Sequence, residues 1–147
     1  MKISAKGRYG LAAMTYLARN FASGAPITII SISEKLGISN IYLEQVFSLL
    51  KRAQLVNSIK GSQGGYQLAR EPREISAYDI LSSIELSLME KVSPAAEKMP
   101  ALDRALAAKV FTPLDDQIKD TLSSVSLDDI LTAIEAEKDT DSLMYFI

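Results

Sequence analysis

No cysteine, no histidine and no tryptophan occurs in the 147 residues of this chain. Without Cys or His it can form no disulfide, no thiol redox switch, no Cys-ligated iron–sulfur cluster and no zinc site of the usual nitrogen and sulfur ligands. Imidazole acid–base chemistry is excluded as well, so the expected cofactor is none. Long apolar runs are also missing: nothing approaches the roughly 18 consecutive apolar residues of a membrane span. The start, Met1-Lys2-Ile3-Ser4-Ala5-Lys6-Gly7, lacks the apolar stretch of a secretory leader. A soluble, cytoplasmic protein is therefore expected. The adjacent carboxylates Asp115-Asp116 and Asp128-Asp129 are no catalytic pair, because helical neighbours point about a hundred degrees apart and do not converge on a substrate. An enzyme is not expected.

What the chain does have is a segregation of charge that its net −2 conceals. Residues 1–70 hold nine Lys and Arg against Glu34 and Glu44, a net of +7, which leaves seven basic against sixteen acidic residues, −9, in the remainder. A basic half joined to an acidic half suits a polyanion-binding module with a separate assembly region. Chance variation over a solvated surface is the bland alternative.

The pattern of elements favours the first reading. From Ser4 to Ala22 the apolar residues Leu11, Met14, Leu17, Ala18 and Phe21 recur at three- and four-residue intervals, with Ser4 as N-cap and Gly24 as stop. Ala25-Pro26 interrupts, Ile27-Thr28-Ile29 is a short β-branched run, and Ser31 or Ser33 caps a brief helix from Ile32 to Leu36 that ends at Gly37. A third helix runs from Ser39 to Arg52. Leu43, Val46, Phe47 and Leu50 form its buried stripe, and Asn40, Ile41, Glu44, Gln45, Ser48 and Arg52 form its other face. Two helices joined by the turn Gly37-Ile38-Ser39 are a helix-turn-helix, whose second helix enters the DNA major groove.

Leu55 to Ile59 and Tyr66 to Ala69 read as strands joined by the Gly-rich tip Lys60-Gly61-Ser62-Gln63-Gly64-Gly65, making a wing. The rival reading of those glycines, a phosphate-cradling nucleotide loop, lacks a closing Gly-Lys-Ser/Thr and leads into a strand instead of opening a helix. Lys2, Lys6 and Arg8 around the first helical turn, Lys51 and Arg52 at the end of the third helix, and Lys60, Gly61, Gly64, Gly65 and Tyr66 on the wing are the candidate phosphate contacts. Solvated surface is their plain alternative. Tyr9 and Tyr42 are expected in the core. Tyr66 is expected to hold the wing to the body by packing, with its hydroxyl free to reach a phosphate.

Three segments together carry a resemblance: Met1 to Leu11, Ile38 to Gln45, and Leu55 to Gly61 continued by Gly64-Gly65-Tyr66. They resemble the bacterial winged-helix regulators that include IscR, NsrR and CymR, and the likeness extends through Ser76-Ala77-Tyr78-Asp79-Ile80-Leu81 and more weakly to the C-terminus. Within that family the Cys-free sensing region and the closing aromatic-Ile residues resemble the CymR type, repressors of cysteine metabolism. The resemblance implies a homodimeric DNA-binding repressor or activator. It places Ser39 and Asn40 at the N-terminus of the recognition helix, Glu44 and Gln45 in the groove and Lys60 at the base of the wing. Chemistry agrees, since Gln bonds an adenine edge bidentately, Glu accepts from the cytosine amino group, and a helix N-terminus offers free N–H groups to a phosphate. A solvated Glu44 paired with Lys51 is the alternative for that residue. A protein-docking winged helix without sequence-specific DNA binding is the alternative for the whole.

The expected architecture is mainly α with a small β wing: a winged helix-turn-helix domain over residues 1–75, then a linker with dimerisation and regulatory helices over 76–147. Ser76 caps a helix carrying Ile80, Leu81 and Ile84, and 86–100 reads as a loop or short broken helix. Leu102, Leu106, Val110, Leu114, Ile118, Leu122 and Val125 then recur at three- or four-residue intervals along a long helix with one apolar stripe, which a second copy would cover. Leu106, Val110, Leu114, Ile118 and Leu122 are the expected dimer residues. Pro113 either opens a new helix behind Thr112 or kinks a continuous one. A last short helix spans 127–136.

In the iron–sulfur members of the family three cysteines precede the dimer helix. The corresponding residues here, 92–104, hold neither Cys nor His, which leaves as effector a small molecule near Met89 to Met99, a partner protein, or nothing. The apolar ending Ser142-Leu143-Met144-Tyr145-Phe146-Ile147 offers a free Ile carboxylate, a peptide-recognition handle. By resemblance it points to a cysteine synthase as partner. The simpler alternative buries Met144, Tyr145 and Phe146 across the dimer.

Overall fold

A computed structural model describes residues 3–88, 90 and 93–145, with the side chains of the last two of these undescribed. Lys2, Met89, Val92, Phe146 and Ile147 lie outside the described residues.

The chain opens with α1 (Ala5–Arg19), whose first turn is capped by the Ser4 side chain accepting from the Gly7 N–H at 3.1 Å. A single 3-10 turn, Phe21–Ser23, follows, and Gly24 stops it with φ of 70°. The second helix, α2 (Ile29–Leu36), starts earlier than the β-branched run suggested. Thr28 is its cap, accepting from the Ser31 N–H at 3.1 Å, so Ser31 and Ser33 lie inside the helix. Ile27 bridges Tyr66 through two backbone hydrogen bonds of 2.9 and 2.8 Å, and Thr28 keeps extended backbone as the cap. Gly37, at φ 68°, ends α2. The third helix, α3 (Asn40–Arg52), buries Leu43, Val46, Phe47 and Leu50, as its periodicity requires.

Two antiparallel strands, β1 (Val56–Ile59) and β2 (Gly65–Leu68), pair in the register Val56 opposite Leu68 and Ile59 opposite Gly65. Next comes α4 (Ala77–Ile84), opened by a complete capping box: Ser76 and Asp79 each accept the other's backbone N–H at 3.0 Å. Ile80, Leu81 and Ile84 are its buried face, packed on α1 and α3. The two helices approach closely because α1 presents Gly7 and Gly10 there. A side chain at Gly10 would strike the end of Ile84, and one at Gly7 would meet Glu85. Glu85 in turn accepts from both the N–H and the hydroxyl of Ser4, tying the start of α1 to the end of α4. The two glycines stand about one helical turn apart in the sequence, on the face of α1 that meets α4.

The segment around Pro113 is continuous. Helix α5 (Pro100–Leu106) passes into a π-turn, Ala107–Phe111, and then into α6 (Thr112–Ser123), with helical backbone at Ala107, Phe111 and Thr112. The Thr112 N–H donates to the Ala107 carbonyl, five residues back. Thr112 is therefore no N-cap. The widened turn stands immediately before the residue that has no N–H to give and whose ring would crowd the carbonyl four residues earlier.

The last helix, α7 (Leu127–Tyr145), runs nine residues beyond the expected end at Ala136. The stretch beyond the expected end is made of good helix formers, among them Glu137 and Lys138, with Lys138 paired to Glu135 at 3.3 Å. A second capping box, Ser126 with Asp129 at 3.0 and 2.9 Å, opens it. Backbone bonds from Ala77 to Val125 and from Leu127 to Ile75, at 2.8 and 2.9 Å, clamp the start of α7 to the start of α4. Leu127 is thereby fully buried in the cluster with Met14, Phe47, Ile75 and Ile80, so the core draws on both sides of the 75/76 boundary. No helix among the described residues is long and apolar enough to cross a membrane.

Leu127→Ala is expected to lower unfolding free energy by about 2–5 kcal/mol in chemical denaturation, by emptying a filled core position. Leu143→Ala, on the exposed far end of the same helix, should stay within about 0.5 kcal/mol of the parent.

Candidate nucleic-acid interface

The turn between α2 and α3 is fixed by short-range bonds. Ser33 Oγ donates to the Ile38 carbonyl at 2.6 Å, and Ile38 itself is buried. This sets the start of α3 outward. Ser39 is its N-cap but makes no side-chain cap bond, and the first helical bond is Leu43 N–H to Ser39 carbonyl. The backbone N–H groups of Asn40, Ile41 and Tyr42 thus have no partner within the helix and face an anion with the positive end of the helix dipole.

All six expected base-reading residues lie on the exposed face of α3: Ser39, Asn40, Ile41, Glu44, Gln45 and Ser48. Ile41 is 68% exposed, unusual for an isoleucine and suited to contact with a thymine methyl group. Glu44 forms no ion pair with Lys51. Among the described residues the ion pairs are Arg73 with Glu71 and Lys138 with Glu135, so Lys6, Arg8, Lys51, Arg52 and Lys60 all stand exposed and unneutralised. Tyr42 departs from expectation. It is 44% exposed and packs only its edge on half-buried Tyr9, rings 5.7 Å apart. Its place in α3, one residue before the buried Leu43, turns it toward α1, and the contact holds the basic first turn of α1 beside the recognition helix.

The wing is seated by Tyr66. Its ring lies 4.6 Å from that of Phe47, in the core of α3, while its backbone pairs with Ile27. Close approach of Ile27 explains the glycine before it: a Cβ at Gly65 would lie 2.6 Å from the Ile27 carbonyl carbon and oxygen, and φ there is 146°. Gly64 has no room either, because a side chain would collide with the Ile59 carbonyl. Its N–H closes the tip on Gly61 at 3.0 Å. Gly61, at φ 103°, faces open space. Backbone pairing and turn closure thus occupy this Gly-rich loop, and it presents Lys60 at the strand end.

The five expected dimer residues lie along one path through α5, the π-turn and α6. Val110 and Leu114 are 48% and 53% exposed, with Leu102 beside them at 41%, while Leu106, Ile118 and Leu122 are half-buried. Contact of α6 with α4, including Lys119 over the Tyr78 ring at 5.7 Å, covers the second half of the stripe and leaves the first half open.

Residues 3–133 match the model of the Rrf2 family, described as an iron-dependent transcriptional regulator. Over its whole length the chain is 35% identical to the transcriptional regulator CymR of Bacillus subtilis, which it likewise covers in full. Among solved structures, CymR, the global cysteine regulator of B. subtilis, superposes with a TM-score of 0.74 at 34% identity, over 90% of this chain and 98% of that one. The structure of IscR from T. potens gives 0.73 at 38% identity, over 93% and 90%. The chain belongs to the Rrf2 family of winged-helix transcriptional regulators, and its role is not enzymatic.

An iron centre of the cluster type does not fit the residues that precede α5. The segment holds no thiolate or imidazole, and the Asp103 carboxylate is engaged, accepting the N–H groups of Ala95 and Ala96 at 3.0 Å each. Among the described residues no three His, Cys, Asp or Glu side chains gather as a metal site.

Gly65→Ala is expected to cost about 1–3 kcal/mol of stability through forced backbone strain. Thermal unfolding should register the loss, whereas Gly61→Ala, strained in φ but unobstructed, should cost less.

Proposed function

We propose that this regulator is a homodimeric, sequence-specific repressor that works in the cytoplasm and reads a two-fold symmetric operator with α3 and the wing. Residues 1–75 serve as its DNA-reading unit and 76–147 as its assembly unit. The observation that carries the reading is the division of α3. Leu43, Val46, Phe47 and Leu50 anchor the helix, while Glu44, Gln45, Ser48 and the free N-terminal N–H groups face outward, and Lys6, Arg8, Lys51, Arg52 and Lys60 are exposed and unneutralised among the described residues. Gln45 reads an adenine edge and Glu44 a cytosine amino group; Lys6, Arg8, Lys51, Arg52 and Lys60 hold phosphates, as does Lys2. The half-open stripe of Leu106, Val110, Leu114, Ile118 and Leu122 pairs two copies. No resident cofactor takes part.

Fluorescence anisotropy against promoter fragments and a scrambled duplex, at two salt concentrations, tests this. Two chains per site are expected, on half-sites about one helical turn, 34–36 Å, apart or a multiple of that. Gln45→Ala should cost about 1–3 kcal/mol on the preferred site and relax base preference, whereas Lys51→Ala should weaken all duplexes alike and lower the salt slope by about one. Leu114→Asp should leave a monomer without operator binding. Loss of all sequence preference in the parent protein would instead identify a docking module.

Full-length similarity to CymR, together with the Cys-free loop, supports genes of cysteine and sulfur metabolism as targets and a cysteine synthase as partner for the C-terminal tail. The described part of α7 reaches Tyr145, which places the proposed partner contact at the far end of this helix. Deleting the last four residues should abolish co-migration with purified cysteine synthase and leave DNA affinity unchanged. Undiminished co-migration would refute the partnership.

A further inference from the structure

A cleft of about 450 Å³ lies between the loop at 93–96 and the helical path from α5 into α6. One wall is the loop itself, held in shape by the two backbone bonds to Asp103. The opposite wall is the π-turn, which supplies Ala107 and the half-buried Phe111 ring, and Pro94 adds a further apolar surface. Besides the Asp103 carboxylate, which the two loop N–H groups occupy, two formal charges of opposite sign line the cleft: the Arg104 guanidinium, before the π-turn, and the Asp115 carboxylate, after it. Neither is in an ion pair, with each other or with any described residue.

An apolar cleft of this size with a few separated polar groups matches the general form of a small-molecule site. Two opposite charges that form no ion pair with each other are complementary to one ligand that carries both signs. We propose that this cleft binds a free α-amino acid, its carboxylate on Arg104, its ammonium on Asp115 and its side chain against Phe111 and Pro94. The guanidinium fork suits a carboxylate bidentately, and an ammonium needs only a point countercharge. Such a ligand would bridge the two sides of the π-turn and so bear on the helix whose stripe faces a second copy. The inference goes beyond the DNA-binding reading and does not depend on it, because its test involves no DNA.

Isothermal titration calorimetry of the full chain with L-alanine, L-leucine, L-methionine and L-phenylalanine is the experiment, each beside its N-acetyl and its carboxamide derivative. Saturable binding of at least one free amino acid at millimolar or lower concentration is expected, with both blocked derivatives weaker. Arg104→Gln and Asp115→Asn should each raise the Kd about tenfold or more, as expected for losing a charged hydrogen bond. Asp116→Asn, one residue on but outside this cleft, should leave it unchanged. Circular dichroism of the variants verifies that exposed positions were altered without unfolding. No saturable heat from any of the four amino acids, or binding indifferent to both substitutions, overturns the proposal.

Discussion

The backbone clamp between Ser76 and Ser126 decides how the whole chain is arranged. Two hydrogen bonds, from Ala77 to Val125 and from Leu127 to Ile75, bring together positions fifty residues apart in sequence and seat Leu127 in the core. Everything between them becomes a closed excursion that leaves the body at α4 and returns at α7. The excursion has no core of its own: α5 and the π-turn bury no residue completely. Its geometry is therefore set at its two ends, by capping boxes of the same composition, Ser76 with Asp79 and Ser126 with Asp129. A loop so long is closed at modest extra entropic cost, because that cost grows only with the logarithm of length.

The DNA-facing side depends on a comparable economy. Phe47 fills the centre of the three-helix core, and Tyr66 stacks on it, so the buried anchor of the recognition helix is also the seat of the wing. Ile27 adds the backbone pairing that holds β2 in place from the other side. Recognition helix and wing consequently move as one body. The charge segregation of the sequence acquires a shape from this: basic groups of α1, α3 and the wing are scattered in sequence but share one rigid frame.

Much of that frame was legible in the sequence because it rests on local signals. The α3 stripe, the Gly37 turn, the Ser76 cap and the Gly-rich hairpin each declare themselves within a dozen residues. What escaped had two physical origins. Some features were local but of the wrong expected kind: Thr28 outcompeted Ser31 as a cap, and good helix formers continued α7 past its expected end at Ala136. The rest were contacts between distant segments, such as the clamp at Ser126, the edge contact of Tyr42 with Tyr9, and the packing of Gly10 against Ile84. No periodicity reports these. Of the DNA-reading face the sequence revealed which residues are outward, since burial of their neighbours dictates it; it did not reveal that the Asp103 carboxylate organises the loop before α5, because that bond depends on a fold-back of eight residues.

The π-turn before Pro113 also resolves an oddity of phase. Leu102, Leu106, Val110, Leu114, Ile118 and Leu122 are spaced by four throughout. On an unbroken α-helix each such step overshoots a full circle by about 40°, so the row would wind some 200° around the axis and end on the opposite side. One extra residue in a turn absorbs about 100° of that drift. The widened turn works as a phase corrector, keeping near alignment between a front half that is open and a rear half that rests on α4. Gaining or losing a single residue there would change the heading of this apolar row without altering one of the side chains that compose it.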